Sequence, residues 1–176
     1  MLLQELEKLA AANELVSIER NCHDEELTGL LCHVSDSLIT MHLFASAGDY
    51  EGFAVFEFDQ VEEMFWGNRE HRAIRLLVDA RGAPQNVNLE STDFASAIDE
   101  LNRSYASLCL HSSNDEDHYE IAHIEERDDN WCKIQTFSPM KSLSRTYKMI
   151  KTDLITRVVV NSPYQIDIVN LHDSEL

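Results

Sequence analysis

Two stretches of this chain carry one pattern. Residues 59–77 read DQVEEMFWGNREHRAIRLL and residues 153–171 read DLITRVVVNSPYQIDIVNL. Laid together without a gap, they pair Val61 with Ile155, Met64 with Val158, Phe65 with Val159, Trp66 with Val160, Ile74 with Ile168 and Leu77 with Leu171. Gly67-Asn68 falls on Asn161-Ser162. Each stretch is an apolar run, a polar two-residue break and a second apolar run. This predicts two strands joined by a tight hairpin, with strand ends near Leu77 and Leu171. A period of about 90 residues is too long for a solenoid unit and suits a small domain. The chain therefore reads as a tandem of two related modules.

The match extends upstream with gaps. Residues 37–44 (SLITMHLF) align with 130–137 (NWCKIQTF), and 52–58 with 143–149. Residues 28–34 align with 119–124, and 15–19 with 105–109. Ahead of each set, Leu2, Leu6 and Leu9, and then Phe94, Ile98 and Leu101, recur at helical spacing, one apolar stripe on a short helix. Ser91, Thr92 or Asp93 can cap the second helix. Each module is thus a helix followed by five short strands. The Gly82, Pro84, Asn86 and Asn88 connector sets the expected boundary, giving modules 1–88 and 89–176.

Helix-then-five-strands resembles the Sm-like fold, a small, strongly bent SH3-type barrel. The chain is also similar to an uncharacterised bacterial family. In that family each module is marked by a Gly-hydrophobic strand (here Gly29-Leu30), a Gly-aromatic strand start (Glu51-Gly52-Phe53) and an acidic final strand start (Asp59-Gln60-Val61). In the second half only Asp153-Leu154-Ile155 keeps its signal. Glu120 stands for the first Gly, and Ser142-Leu143-Ser144 for the Gly-aromatic start. The resemblance implies a mainly β, α+β chain of two tandem small barrels, each preceded by a helix. Its motifs are structural and carry no chemistry.

Charge is the second constraint. Lys and Arg number 14 against 32 Asp and Glu, a net of −18. Residues 1–90 hold 6 basic and 17 acidic groups, and residues 91–176 hold 8 and 15, so no single tail carries the excess. The densest clusters are Asp24-Glu25-Glu26, Asp115-Glu116-Asp117, and Glu125-Glu126 with Asp128-Asp129. All three fall in predicted turns, and the first two at matching places in the repeat. Such a field repels phosphate, which nucleic-acid binding has to neutralise with Lys and Arg. The largest basic group, Lys141, Arg145, Lys148 and Lys151, reads as the polar face of a strand.

Chemistry-bearing motifs are absent. The sequence has no P-loop, no G-x-S-x-G and no G-x-G-x-x-G. Cys22, Cys32, Cys109 and Cys132 form no Cys-x-x-Cys pair. Cys32 and His33, adjacent on a strand, point to opposite faces and cannot share a metal. Trp66 aligns with Val160 and Trp131 with Leu38, which predicts that both are core. No leader and no apolar run long enough for a membrane span is read, so a cytoplasmic location is expected.

These readings predict a non-enzymatic protein without cofactor or metal, whose ligand is another protein. Small size, strong acidity and a generic scaffold resemble immunity proteins that neutralise toxins of contact-dependent growth inhibition systems. The resemblance implies a basic toxin nuclease as partner, bound stoichiometrically through the acidic clusters, with no nucleic acid and no membrane. The alternative is a tandem Sm-like RNA-binding or ribonucleoprotein assembly module, and a structural adaptor is a third reading. The sequence leaves the oligomeric state open.

Overall fold

The computed structural model describes residues 1–21, 23–113, 115–137 and 145–174, and only the backbone of residues 23, 24 and 115–118. The first half runs α1 (Leu2–Ala11), β1 (Leu15–Arg20), β2 (His23–Val34), β3 (Leu38–Phe44), β4 (Tyr50–Glu57), β5 (Val61–Trp66) and α2 (Arg69–Arg81). The second runs α3 (Phe94–Ser104), β6 (Leu108–Ser112), β7 (Asp115–Arg127), β8 (Trp131–Thr136), β9 (Thr146–Lys151), β10 (Ile155–Val160) and α4 (Pro163–Ser174). A single 3-10 turn links β4 to β5, and another links β9 to β10.

All ten strands join one open antiparallel sheet in the order β5-β1-β2-β3-β4-β10-β6-β7-β8-β9. The first five places and the last five follow the same order, with β10 standing where β5 stands. The ladders repeat as well. Leu38 pairs Glu57 and Ile39 pairs Phe56, while Trp131 pairs Lys151 and Cys132 pairs Ile150. Gly29 pairs Leu43 as Ala122 pairs Thr136. Register breaks recur too, between Leu31 and His33 and between Ile124 and Glu126. Bulges add local twist and bend, so both halves curve at the same places. The alignment of 37–44 with 130–137 agrees with this register. The other three are offset by two or three residues, since the ladders equate Val16 with Leu108, Gly29 with Ala122 and Phe53 with Tyr147.

The halves meet where β4 pairs β10: Phe53 with Val160, Ala54 with Val159, Val55 with Val158 and Phe56 with Arg157. Both large core clusters cross this seam. One packs Leu6, Ile18, Ile39 and Phe56 with Cys109, Val159 and Ile168. The other packs Leu38, Phe53 and Val55 with Phe94, Ile98, Leu101, Val158 and Val160. A continuous sheet with shared cores replaces the expected pair of separate sheets. Halves this small have marginal cores of their own, and burial against each other supplies what they lack.

The expected hairpins at Gly67-Asn68 and Asn161-Ser162 are strand-to-helix corners, and the strands expected to end near Leu77 and Leu171 are helices. In α2 the Asn68 side chain accepts from the His71 N–H at 2.8 Å, an N-cap. Buried His71, Ile74 and Val78 form its inner stripe. Pro163 opens α4, where a missing N–H costs nothing, and Gln165, Ile168 and His172 are buried. These spacings of 3 and 4 have the helical period. The corner needs left-handed backbone in both copies: Gly67 has φ 75° and Asn161 φ 61°, conformations that Gly and Asn tolerate best. The predicted cap of α3 is Asp93, which accepts from the Ser96 N–H at 2.9 Å.

Trp66 and Trp131, expected in the core, are 42% and 44% exposed. Trp66 lies on the edge strand β5, and Trp131 lies on β8 beside the edge strand β9.

Candidate functional site: an acidic groove at the seam

The acidic clusters expected in turns are mostly in strands. Residues 24–26 lie in the start of β2, residues 115–117 in the start of β7, and Glu125 and Glu126 near the end of β7. Asp128 and Asp129 do occupy the β7–β8 turn, where the Asp128 carboxylate accepts from the Asn130 and Trp131 N–H groups at 2.7 Å each. Those bonds hold its pKa below the usual carboxylate range. The side chains of Asp24, Asp115, Glu116 and Asp117, and all of Cys22 and Lys141, lie outside the described residues. The runs at 24–26 and 115–117 both fall at register shifts of the ladder: Ile18 pairs Leu27 while Arg20 pairs His23, and His111 pairs Tyr119 while Ser112 pairs Asp115.

Two adjoining cavities open along the seam. The larger, about 400 Å³, is lined by residues including Glu25, Asp49, Glu51, His111, Tyr119 and Arg157. The second, about 210 Å³, shares Glu25, Leu43, Ala45 and Glu51 with it and adds Glu26, Thr28 and Glu70. Together they form one groove with five carboxylates: Glu25, Glu26, Asp49, Glu51 and Glu70. Among the described residues its single arginine or lysine is Arg157.

Arg157 is central. Its side chain is 3% exposed, and its Nη2 donates to Glu25 Oε2 at 2.9 Å and to His111 Nδ1 at 2.9 Å. Among the described residues its buried Nε and Nη1 have no hydrogen-bond partner. Glu25 comes from the first half and Arg157 from the second, so the pair ties β2 to β10. The His111 ring stacks on Tyr119 with centroids 4.6 Å apart. Glu26 is fixed differently: Ser17 and Thr28 hydroxyls donate to its Oε1 at 2.6 and 2.8 Å. Ser17 also meets His71 Nε2 at 2.9 Å.

The electrostatics fit a site short of cations. Burial pushes the Glu51 carboxyl up, the nearby Glu25 and Asp49 charges push it further, and Arg157 pulls it back. At the rim, Arg81 reaches Asp49 at 2.7 Å. Burial raises the Tyr119 hydroxyl to about 12 and the Cys109 thiol to about 12, so neither is a nucleophile near neutral pH. The groove can seat a cation or a cationic side chain.

Of the predicted binding residues, the groove gathers Glu25 and Glu26. Glu126 and Asp128 lie apart, around a smaller cavity with Trp131 and Met149. Sequence reasoning missed Asp49, Glu51, Glu70 and Arg157. Of these only Arg157 had a signal, as the one charge inside the strand ITRVVV. No protein-family model, no curated protein and no solved structure matches this chain. Among the described residues no helix is long and apolar enough to cross a membrane.

Proposed function

We propose that this chain is a non-catalytic acidic protein that binds a basic protein. In its most concrete form it is a cytoplasmic immunity protein that neutralises a basic toxin nuclease, a ribonuclease of a contact-dependent inhibition system, by stoichiometric binding. The observation that carries the reading is the seam groove, where five carboxylates line a cleft with one already paired arginine. A nuclease must line its substrate cleft with cations. Carboxylates set in a fixed groove meet those cations where phosphates would go. Opposite net charges would also steer encounter and raise the association rate.

A second reading has its own support. The order β5-β1-β2-β3-β4, repeated as β10-β6-β7-β8-β9, fits two tandem Sm-like small barrels, and hence an RNA-binding or ribonucleoprotein assembly module. Fold does not carry function, and the groove's charge opposes phosphate, so this reading stands second.

The test compares the parent with an E25Q/E26Q/E51Q variant against the basic nuclease domain that co-purifies from the native host. The parent should bind with a dissociation constant of about 1 nM or tighter, with association slowing as salt rises. The variant should associate roughly tenfold more slowly. Equal rates for the two would remove the groove from the interface. Sub-micromolar binding of RNA oligomers by the parent at physiological salt would put the second reading first.

A further inference from the structure

The two outer edges of the sheet are copies of the two strands that meet at the seam. By register, β9 is the second-half counterpart of β4, and β5 is the first-half counterpart of β10. Inside the chain β4 and β10 pair. Among the described residues β9 pairs only with β8, and β5 only with β1. We propose that β9 of one copy pairs with β5 of a second copy, head to tail, repeating the seam between molecules.

Burial supports this independently of topology. In the first half, Leu38, Phe53 and Val55 are 0%, 1% and 0% exposed, covered by β10 and α3. Their counterparts Trp131, Tyr147 and Met149 are 44%, 61% and 58% exposed. On the other edge, Val160 is fully buried at the seam while its counterpart Trp66 is 42% exposed. The second half therefore presents, as large apolar side chains, the face that the first half hides under its neighbour. The covering parts are β10 and α3 within the chain, and their counterparts β5 and α1 exist on every other copy. Contiguous exposed apolar surface of this kind marks an interaction site, and an unpaired strand is a template for another.

Charge is complementary as well. The chain is strongly acidic, yet β9 (TYKMIK) carries two lysines and no carboxylate, and β5 (VEEMFW) carries two glutamates and no cation. Lys148 is engaged within its own chain by Glu120, and the Lys133 ammonium lies 5.8 Å from the Tyr147 ring centroid. Repeating the seam register sets Tyr147 against Trp66 and Met149 against Met64, an aromatic pair and a thioether pair of the sort that stabilise antiparallel ladders. The contact joins unlike edges, so it is heterologous. It closes into a ring if the rotation between copies allows, and otherwise grows as a filament.

Sedimentation velocity on the full chain tests the proposal. The parent should show species of at least twice the monomer mass that grow with concentration. A β9 variant, Y147K/M149K, and a β5 variant, W66K, should each sediment as a monomer with the parent's circular dichroism. The decisive arm mixes them. Each retains one intact edge, so an equimolar mixture should give a one-to-one dimer that neither forms alone. A parent that remains monomeric at all concentrations overturns the proposal. So does W66K remaining a dimer, since that would mean β9 pairs with β9, and so does a mixture that stays monomeric while the parent assembles.

Discussion

Arg157 and Glu25 give an unintuitive prediction about the seam. Replacing Arg157 by Met removes a guanidinium that is 3% exposed and has two N–H-bearing atoms without a partner among the described residues. Hydrogen bonds to a charged partner contribute about 1.5–3 kcal/mol each. Against that stands the desolvation of a buried cation, several kcal/mol, which Met does not incur. Glu25, 55% exposed, returns to water when its partner is gone. The terms nearly cancel, so R157M should fall within about 1 kcal/mol of the parent. Glu25→Gln is the milder change in shape and sits at the surface, yet among the described residues it leaves the buried guanidinium with His111 as its hydrogen-bond partner. Stranding a fully buried charge costs about 3–5 kcal/mol. Partial exposure at Glu25 lets water substitute and lowers this to about 1–2 kcal/mol. That corresponds to a melting point lower by roughly 2–8 °C in a domain of this size. In urea titrations E25Q should therefore shift the midpoint more than R157M, and adding E25Q to R157M should do nothing further. If R157M loses more than about 3 kcal/mol while E25Q is silent, the guanidinium is held by groups other than Glu25 and the account of the seam fails.

Other perturbations follow from the same packing. Gly52 has φ 111°, and a Cβ there would lie 2.6 Å from Val159 Cγ1 and 2.9 Å from the Val160 carbonyl oxygen. Gly52→Ala should therefore cost about 2–4 kcal/mol in urea unfolding, and an unchanged midpoint would mean that β4 does not hold this approach to β10. Leu101, fully buried in the cluster that crosses the seam, should cost about 2–5 kcal/mol as Ala, measured in the same way. Burial holds His42 below its ordinary pKa of 6.5, so the unfolded chain takes the proton first. The stability His42 gives is full above about pH 6.5 and drains as pH falls through that value. Thermal melts between about pH 7.5 and 5.5 should show the fall, and His42→Phe should flatten it. Burial pushes Cys109 to about 12 and Cys132 to about 11, so a thiol reagent at about pH 8 should leave both untouched in the folded chain and label them on denaturation.

The sequence showed the repeat because apolar positions recur in order, and the ladders place most paired positions in equivalent elements. Ile74 and Ile168, matched across the repeat, are both buried at equivalent places in α2 and α4. What failed was the period inside the matched stretch. Asn68 caps a helix, His71, Ile74 and Val78 carry its stripe, and Pro163 opens its counterpart. A match of two apolar runs does not say whether the second is strand or helix, and cap chemistry decides it. The groove was half visible. Glu25 and Glu26 stood out as a charge run, but Asp49, Glu51 and Glu70 are single carboxylates brought together only when β2, the β3–β4 turn, β4 and α2 meet. Spacing along the chain carries no trace of that meeting.

The tryptophans carry the argument a step further. Aligning Trp66 with Val160 and Trp131 with Leu38 was right, as the strand register bears out. The inference to core failed because burial is set by neighbours and not by position in the repeat. Val160 and Leu38 are covered because the seam places the other half over them. Trp66 stands on the edge strand β5 and Trp131 on β8 beside the edge strand β9, and among the described residues no further half covers either place. Drift toward polar residues would be the cheap response to exposure, and Lys148, Lys151, Glu62 and Glu63 show such residues are accommodated on both edges. Large apolar side chains nevertheless stand at the positions the seam would bury. That pattern is expected if the edges spend their working life covered by another copy and is unexplained if they face water.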